Sequence, residues 1–324
     1  MSFNYEDVKQ AYDRIKDYVR ETPLEESYFL GDGERKYFFK LESCQRAKSF
    51  KIRGAVNKML TLTDEEKARG VSTVSSGNHG SSVSYAATML GIEKAEIIVP
   101  ATAPQSKIDK IKYFGGEALL MGQNYDEAHE LGMKHIEEHG MTFVDAYDED
   151  PLVYAGQGTV AIEILKQNPD IDTIVCPIGG GGILTATAVA AKSINPNIRV
   201  IGVQTAACPS LIKSYEDGVC YTEYPTEESY CDSLVGGIGR LSYKMAKDWV
   251  DDLIAVSEDT IARAVGYMAC EEKFVAEAGS CTTIAAVMDY AERIGGKNIA
   301  LVITGGNIDG DVLAELVNKY EESK

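Results

Sequence analysis

The chain has 324 residues, 44% hydrophobic and 25% charged, and 50 acidic against 32 basic side chains give a formal charge of -18 at pH 7. That length suits two domains with a sizeable core, and Lys and Arg scattered among carboxylates argue against nucleic acid or an anionic membrane surface as partner. No apolar run is long enough to span a bilayer, the N-terminus lacks a signal peptide's basic start and apolar core, and seven scattered cysteines without a Cys-x-x-Cys pair read as reduced cytoplasmic thiols with no structural zinc.

Strands and helices alternate along the chain, which indicates an α/β protein with a mainly parallel sheet. A helix is expected at 4–19 and a strand at 37–41. Strand 71–74 leads through the turn Ser75-Ser76-Gly77-Asn78 into a helix that runs to Ala87. Strand 96–99, helix 105–114, strand 117–121 and helix 124–139 follow at tight spacing, so that 71–147 has the makings of a compact sub-domain. Strand 172–176, a four-glycine run, helix 183–193 and strand 198–203 open a second series. A less regular stretch at 205–250 precedes strand 252–256, helices near 258–273 and 280–292, strand 298–303 and a last helix.

Four turns lie at strand C-termini or helix N-termini, where open α/β sheets place their ligands. Gly179-Gly180-Gly181-Gly182 is the most informative. Without side chains in the turn, backbone N–H groups converge at the positive end of a helix, which makes an anion cradle, most often for phosphate. Ser75-Ser76-Gly77-Asn78-His79-Gly80 offers hydroxyls, an amide and free N–H groups suited to a carboxylate, although Ser and Asn are also ordinary helix caps. Thr304-Gly305-Gly306-Asn307 alone is only a turn. In Ser49-Phe50-Lys51-Ile52-Arg53-Gly54-Ala55, Lys51 stands between two apolar residues. A lysine in a partly dry pocket can act as nucleophile or base, while a lone lysine is more often a snorkelling side chain.

Together these four segments resemble the pyridoxal-phosphate enzymes of the tryptophan-synthase-β fold (fold type II), in the branch of threonine and serine ammonia-lyases and serine racemase. The resemblance covers roughly residues 5–320, with the motifs in the family's order. It implies two open, mainly parallel twisted sheets. A large domain would comprise 1–64 and 148–324, and a small mobile domain 65–147 would carry the asparagine loop. By resemblance Lys51, following Phe50, forms the Schiff base with pyridoxal 5'-phosphate and then acts as base on Cα. Asn78 meets the ring hydroxyl, and Gly179, Gly180, Gly181 and Gly182 hold the phosphate. Thr304 partners the ring nitrogen and Glu277 lies near the ring. Ser75, Ser76, Gly77 and His79 border the substrate carboxylate. The implied reaction is elimination of the β-hydroxyl of an amino acid, threonine or serine by default, giving a 2-oxo acid and ammonia. A homodimer or homotetramer is expected from the likeness alone.

Two positions bear on the alternatives. Ser76 matches the serine that serves as the opposite-face acid in serine racemase, where many threonine ammonia-lyases carry alanine, so racemisation stays open. Gly237, within Gly236-Gly237-Ile238-Gly239, matches a pocket segment that has hydroxyl residues in serine racemase. Glycines there are expected to make room for a larger side chain, such as that of 3-hydroxyaspartate or phenylserine. Gln204 stands where several relatives use a glutamate to ligate a divalent cation, and no metal site is expected. By resemblance the short, catabolic type is expected, without the regulatory domain of the isoleucine-pathway enzymes.

Other readings have less behind them. A nicotinamide dehydrogenase would want glycine at Leu184 and an acid at Gln204. His135-Ile136-Glu137-Glu138-His139 matches a zinc-peptidase pattern but reads better as a solvated helix face, with His129 and His135 at the surface. A non-catalytic binder on this fold would lack Lys51 or Asn78. Tyr147, Tyr154 and Gly156-Gln157-Gly158 resemble a family stretch, yet nothing physical singles them out.

Overall fold

The computed structural model describes residues 2–324. Helix α1 (Tyr5–Ile15) starts from a capping box in which Asn4 accepts from the amides of Glu6 and Asp7 while the Asp7 carboxylate accepts from Asn4 N. It ends four residues before the expected boundary. The Tyr18 amide bonds the Ile15 carbonyl, and the tightened turn delivers the Arg20 amide to Gln45 Oε1 at 2.9 Å. Strands β1 (Leu24–Glu26) and β2 (Lys36–Leu41), two short 3-10 turns over 42–48, and helices α2 (Lys51–Leu60) and α3 (Asp64–Arg69) follow. The middle of the chain holds β3 (Val71–Val74), α4 (Asn78–Met89), β4 (Ala95–Val99), α5 (Gln105–Tyr113), β5 (Glu117–Leu120), α6 (Tyr125–Glu138) and β6 (Thr142–Phe143). The remainder is α7 (Pro151–Gln167), β7 (Thr173–Pro177), α8 (Gly182–Ile194), β8 (Arg199–Thr205), α9 (Ser210–Asp217), α10 (Arg240–Trp249), β9 (Asp252–Val256), α11 (Glu258–Cys270), α12 (Ala278–Ile294), β10 (Asn298–Ile303) and α13 (Gly310–Glu322).

Two sheets result, one six-stranded in the order β1-β2-β10-β7-β8-β9 and one four-stranded in the order β5-β4-β3-β6. Every pairing is parallel except β1 with β2. Both faces of each sheet are covered, and for that reason β7 and β10 read as continuous apolar runs and not as alternations. In the large sheet β2, β10 and β7 are neighbours, so their C-terminal ends open at one place. The segment leading to Lys51, the turn at Thr304 and the glycine run therefore emerge side by side. The small sheet contributes the ends of β3 and β6, which lead into the Ser75–Asn78 turn and into Asp145–Tyr147.

Residues 71–143 form the small sheet with its helices, but the packing does not divide at residue 64. Ile52, Val56 and Met59 of α2 share one buried cluster with Val71, Val83 and Ile97 of the small-sheet unit. The other side of α2 meets α7 at close range. A Cβ on Gly156 would stand 2.5 Å from the Arg53 carbonyl oxygen, and one on Gly54 would stand 2.8 Å from that of Val153. The chemistry-bearing helix is thus wedged between the two units.

A buried charge cluster fixes it further. Arg53 Nε donates to Glu42 Oε2 at 2.7 Å and Nη1 to Glu163 Oε1 at 2.6 Å, while Lys40 Nζ reaches Glu163 Oε2 at 2.7 Å. Two cations and two carboxylates balance with almost no exposure. Such a set is costly to bury, and removing one member typically costs about 3–5 kcal/mol because an unpaired charge stays behind.

Candidate active site

Lys51 is the first residue of α2, and the backbone before it is held unusually. Ala47 and Lys48 have φ of 54° and 60°, a left-handed conformation that non-glycine residues adopt only under constraint. The constraint comes from the turn after β10. Phe50 N donates to Thr304 O and Gly306 N to Lys48 O, each at 3.0 Å, and Ser49 bridges Gly305. Lys51 Nζ donates to the Ala146 carbonyl at 2.9 Å and sits 5.4 Å and 5.7 Å from the ring centres of Phe50 and Tyr147. Burial among these groups pushes its pKa down to about 8, against the opposing pull of Asp145 and Glu277. That lowering brings the amine much closer to its neutral form near physiological pH than an ordinary lysine, and the neutral form is the one a nucleophile or base uses.

The four glycines join β7 to α8, and each is required by a close neighbour. Cβ atoms would meet Tyr147 Cδ2 at 2.1 Å from Gly180, Ser242 Oγ at 2.6 Å from Gly181 and Gln157 Oε1 at 2.4 Å from Gly182. One on Gly179 would lie 3.1 Å from Ser233 O. Gly181 also adopts φ +87°, which favours glycine. Among the described residues the amides of Gly179, Gly180 and Gly181 donate to no carbonyl, so they stand free at the positive end of α8.

The turn after β3 lies opposite. Gly77 N donates to Ser75 Oγ at 3.3 Å, and Ser76 lines the same cavity as Lys51. Asn78 opens α4, and its amide donates to both carboxylate oxygens of Glu277 at 3.0 Å. His79 is buried with Nε2 2.9 Å from Val144 O and Nδ1 without a partner. Burial, then the nearby Lys51 charge, lowers its pKa to about 4, so the ring is neutral.

Thr304 is nearly buried, and its hydroxyl pairs with Ser280 Oγ at 2.9 Å. Ser280 escaped the sequence reading. Its hydroxyl also takes up Gly305 N at 2.8 Å and lies 2.9 Å from Gly305 O, and a serine inside a helix start gives no signal of such a role. Tyr147 gains its place by lying on Gly180, and Tyr154 by the hydrogen bond between its hydroxyl and that of Ser242 at 2.7 Å.

Two expectations are corrected. Gly237 lines the cavity, but a Cβ on it would stand 1.7 Å from the Thr222 carbonyl oxygen, so this glycine serves the close approach of two backbone segments, and it is Gly236 where a Cβ would meet nothing within 4 Å. His135 is not a free surface residue, since Nε2 lies 2.6 Å from Glu96 Oε2 across the helix–sheet interface. Gln204 is buried, accepts from Leu211 N and Ile212 N at 3.0 and 3.1 Å, and points its amide at Cys208 O and Ser210 Oγ. An amide donor aimed at those oxygens does not fit a divalent cation, and no metal-ligating cluster occurs among the described residues.

Lys51, the glycine amides, Asn78, Glu277 and Thr304 all line one cavity of about 1110 Å³. The set fits pyridoxal phosphate: an amine for the aldehyde, free amides for the phosphate and a neutral hydroxyl for the ring nitrogen. Comparison with known proteins agrees. Residues 15–305 match the family described as pyridoxal-phosphate dependent enzyme. The chain is 40% identical over 318 residues to the L-threonine ammonia-lyase of Thermotoga maritima, covering 97% of this chain and 78% of that one. It is 37% identical over 307 residues to the catabolic L-threonine dehydratase of Escherichia coli, covering 94% and 93%. The structure of maize serine racemase superposes with a TM-score of 0.90 at 32% identity, covering 100% and 99%.

Proposed function

We propose that this chain, which belongs to the pyridoxal-phosphate dependent enzyme family, is an ammonia-lyase that removes the β-hydroxyl of threonine and serine and yields a 2-oxo acid and ammonia. The observation that carries the reading is the convergence of Lys51, the free glycine amides and Asn78 on one cavity. The similarity to threonine ammonia-lyase and dehydratase supports threonine as substrate.

When bound, pyridoxal phosphate supplies an aldehyde for the amino group and a conjugated ring that withdraws the electron pair left at Cα. Lys51 holds the cofactor until substrate arrives, then uses its amine to take the Cα proton. The bond to Ala146 O aims that amine, and the lowered pKa of about 8 makes it easier to deprotonate than an ordinary lysine. The glycine amides anchor the phosphate, and Asn78, steadied by Glu277, orients the ring. Thr304 offers the ring nitrogen a hydroxyl and not a carboxylate, which moderates electron withdrawal and favours prompt loss of the β-hydroxyl. Amides and hydroxyls of Ser75–His79, at the positive end of α4, receive the substrate carboxylate. Closure of the small-sheet unit, α4 to α6 with their strands, excludes water from the reactive stage.

Racemisation is the second reading, favoured by Ser76 on the cavity wall and by the likeness to maize serine racemase. Incubation with L-serine and with L-threonine, assayed for 2-oxo acid and for D-enantiomer or epimer, tests both. Oxo acid alone is expected. Substantial D-serine would move the assignment to racemase, and neither product would overturn the choice of substrate. The seven unpaired cysteines support a reducing compartment such as the cytoplasm, and family likeness supports a homo-oligomer, which sedimentation would check.

A further inference from the structure

Helix α5 of the small-sheet unit carries Lys107 and Lys110 three residues apart, so both extend from one helix face toward the large unit. Lys107 Nζ donates to Asp232 Oδ2 at 2.9 Å, an ordinary ion pair across the cleft. Lys110 differs, because its ammonium donates to Oδ1 of Asn307, a neutral amide. Asn307 Nδ2 in turn donates to Asn78 Oδ1 at 2.5 Å and to Ala47 O at 3.0 Å. Asn78 Nδ2 then donates to both oxygens of Glu277 at 3.0 Å.

The order of these four residues matters. Lys110 and Asn78 belong to the small-sheet unit, whereas Asn307 and Glu277 belong to the large one, so the chain of bonds crosses the cleft three times. An ammonium only donates and a carboxylate only accepts, so the two amides between them must lie head to tail. Charge at both ends polarises both amides in the same sense. The second of the two amides, next to the carboxylate, belongs to Asn78, the residue read above as the ring contact.

We propose that Lys110 is a positioning residue that fixes Asn78 through Asn307 and so couples seating of the small-sheet unit to the environment of the cofactor ring. The proposal rests on the reading of Asn78 given above. Nothing comparable follows from Lys107, whose partner Asp232 ends its contact. Lys110 touches no reacting atom, and its influence passes entirely through the two asparagines.

The test uses holoenzyme reconstituted with pyridoxal phosphate, reading the absorption spectrum of the bound cofactor together with kcat and KM for threonine. Lys110→Met is expected to displace the absorption maximum and to lower kcat about tenfold with KM little changed, the loss of one charge-assisted bond. Lys110→Arg, which keeps a cationic donor, is expected to recover the maximum and most of the rate. Lys107→Met is expected to leave the maximum in place, because it severs a cleft contact without touching the amides. Combined with Asn307→Ala, Lys110→Met should cost little beyond Asn307→Ala alone. An unmoved spectrum in Lys110→Met, an equal displacement in Lys107→Met, or fully additive losses with Asn307→Ala would each overturn the proposal. Should Lys110→Met fail to fold, Lys110→Ala is read the same way. A parent protein that takes up no cofactor absorbance would instead defeat the reading of the site itself.

Discussion

Tyr147 lies directly against Gly180, so closely that a Cβ on the glycine would stand 2.1 Å from the ring's Cδ2 and 2.2 Å from its Cγ. The aromatic ring thereby forms a wall between the phosphate loop and Lys51. Gly180→Ala must displace either the ring or the loop, and its expected effect is at least a tenfold weaker hold on pyridoxal phosphate, about 1.4 kcal/mol. Cofactor titration followed by absorbance measures this. Adding Tyr147→Ala should restore part of the affinity, and a Gly180→Ala protein with parental affinity would show that the loop tolerates the shift.

Lys51→Ala removes the amine that holds the cofactor and takes the α-proton. Dialysed protein is expected to lose the visible absorption of bound cofactor, and oxo-acid formation should stop. Persistence of full turnover would sink the assignment of Lys51.

His79 predicts a pH dependence of stability. Its folded pKa is depressed to about 4 from an ordinary 6.5 by burial and then by Lys51. Between those values the unfolded chain binds a proton that the folded chain refuses. Stability from the neutral ring is therefore present above pH 6.5 and lost as pH falls toward 4. The full window is worth on the order of 3 kcal/mol. Denaturant melts at several pH values should show a shallower acid loss in His79→Gln than in the parent. Parallel curves would mean that the ring is hydrated or already protonated.

Gln204 supplies two donor contacts that a carboxylate could not, to Cys208 O at 3.4 Å and Ser210 Oγ at 3.3 Å. Gln204→Glu should lower stability by roughly 1–3 kcal/mol by turning oxygen toward oxygen. Millimolar magnesium or calcium should recover part of that loss in the variant. The parent's melting temperature is expected to be indifferent to EDTA, and a fall on chelation would contradict the hydrogen-bond account of this corner.

The legible parts of the fold share a physical origin. Strands β3, β4, β7, β8 and β10 are largely buried on both faces, and short stretches rich in Val, Ile and Thr mark them in the sequence. Helix α7 stayed hidden for the same reason turned about. It is buried nearly all round, so no polar stripe marks a helical period, and Gly156 and Gly158 within it resemble loop residues. Helix α10 carries an amphipathic pattern, with Leu241 and Ala246 inward, at the end of the less regular stretch 205–250. At the site, Lys51, Asn78 and the glycines stand out because their neighbours in sequence are unusual. Tyr147, Ser280 and Lys110 do not, since each acquires its role from a partner distant along the chain.

The buried set of Lys40, Glu42, Arg53 and Glu163 bears on how this protein can change over descent. Any single replacement strands a charge beneath the helix that presents Lys51, so a lineage cannot drift through the four positions one at a time. The group should pass between relatives as a block, present whole or replaced whole by apolar residues of matching volume. Because Arg53 stands two residues from Lys51, inheritance of the reactive lysine and of this distant-looking charge cluster is tied together, while the cavity walls that choose a substrate remain free to vary.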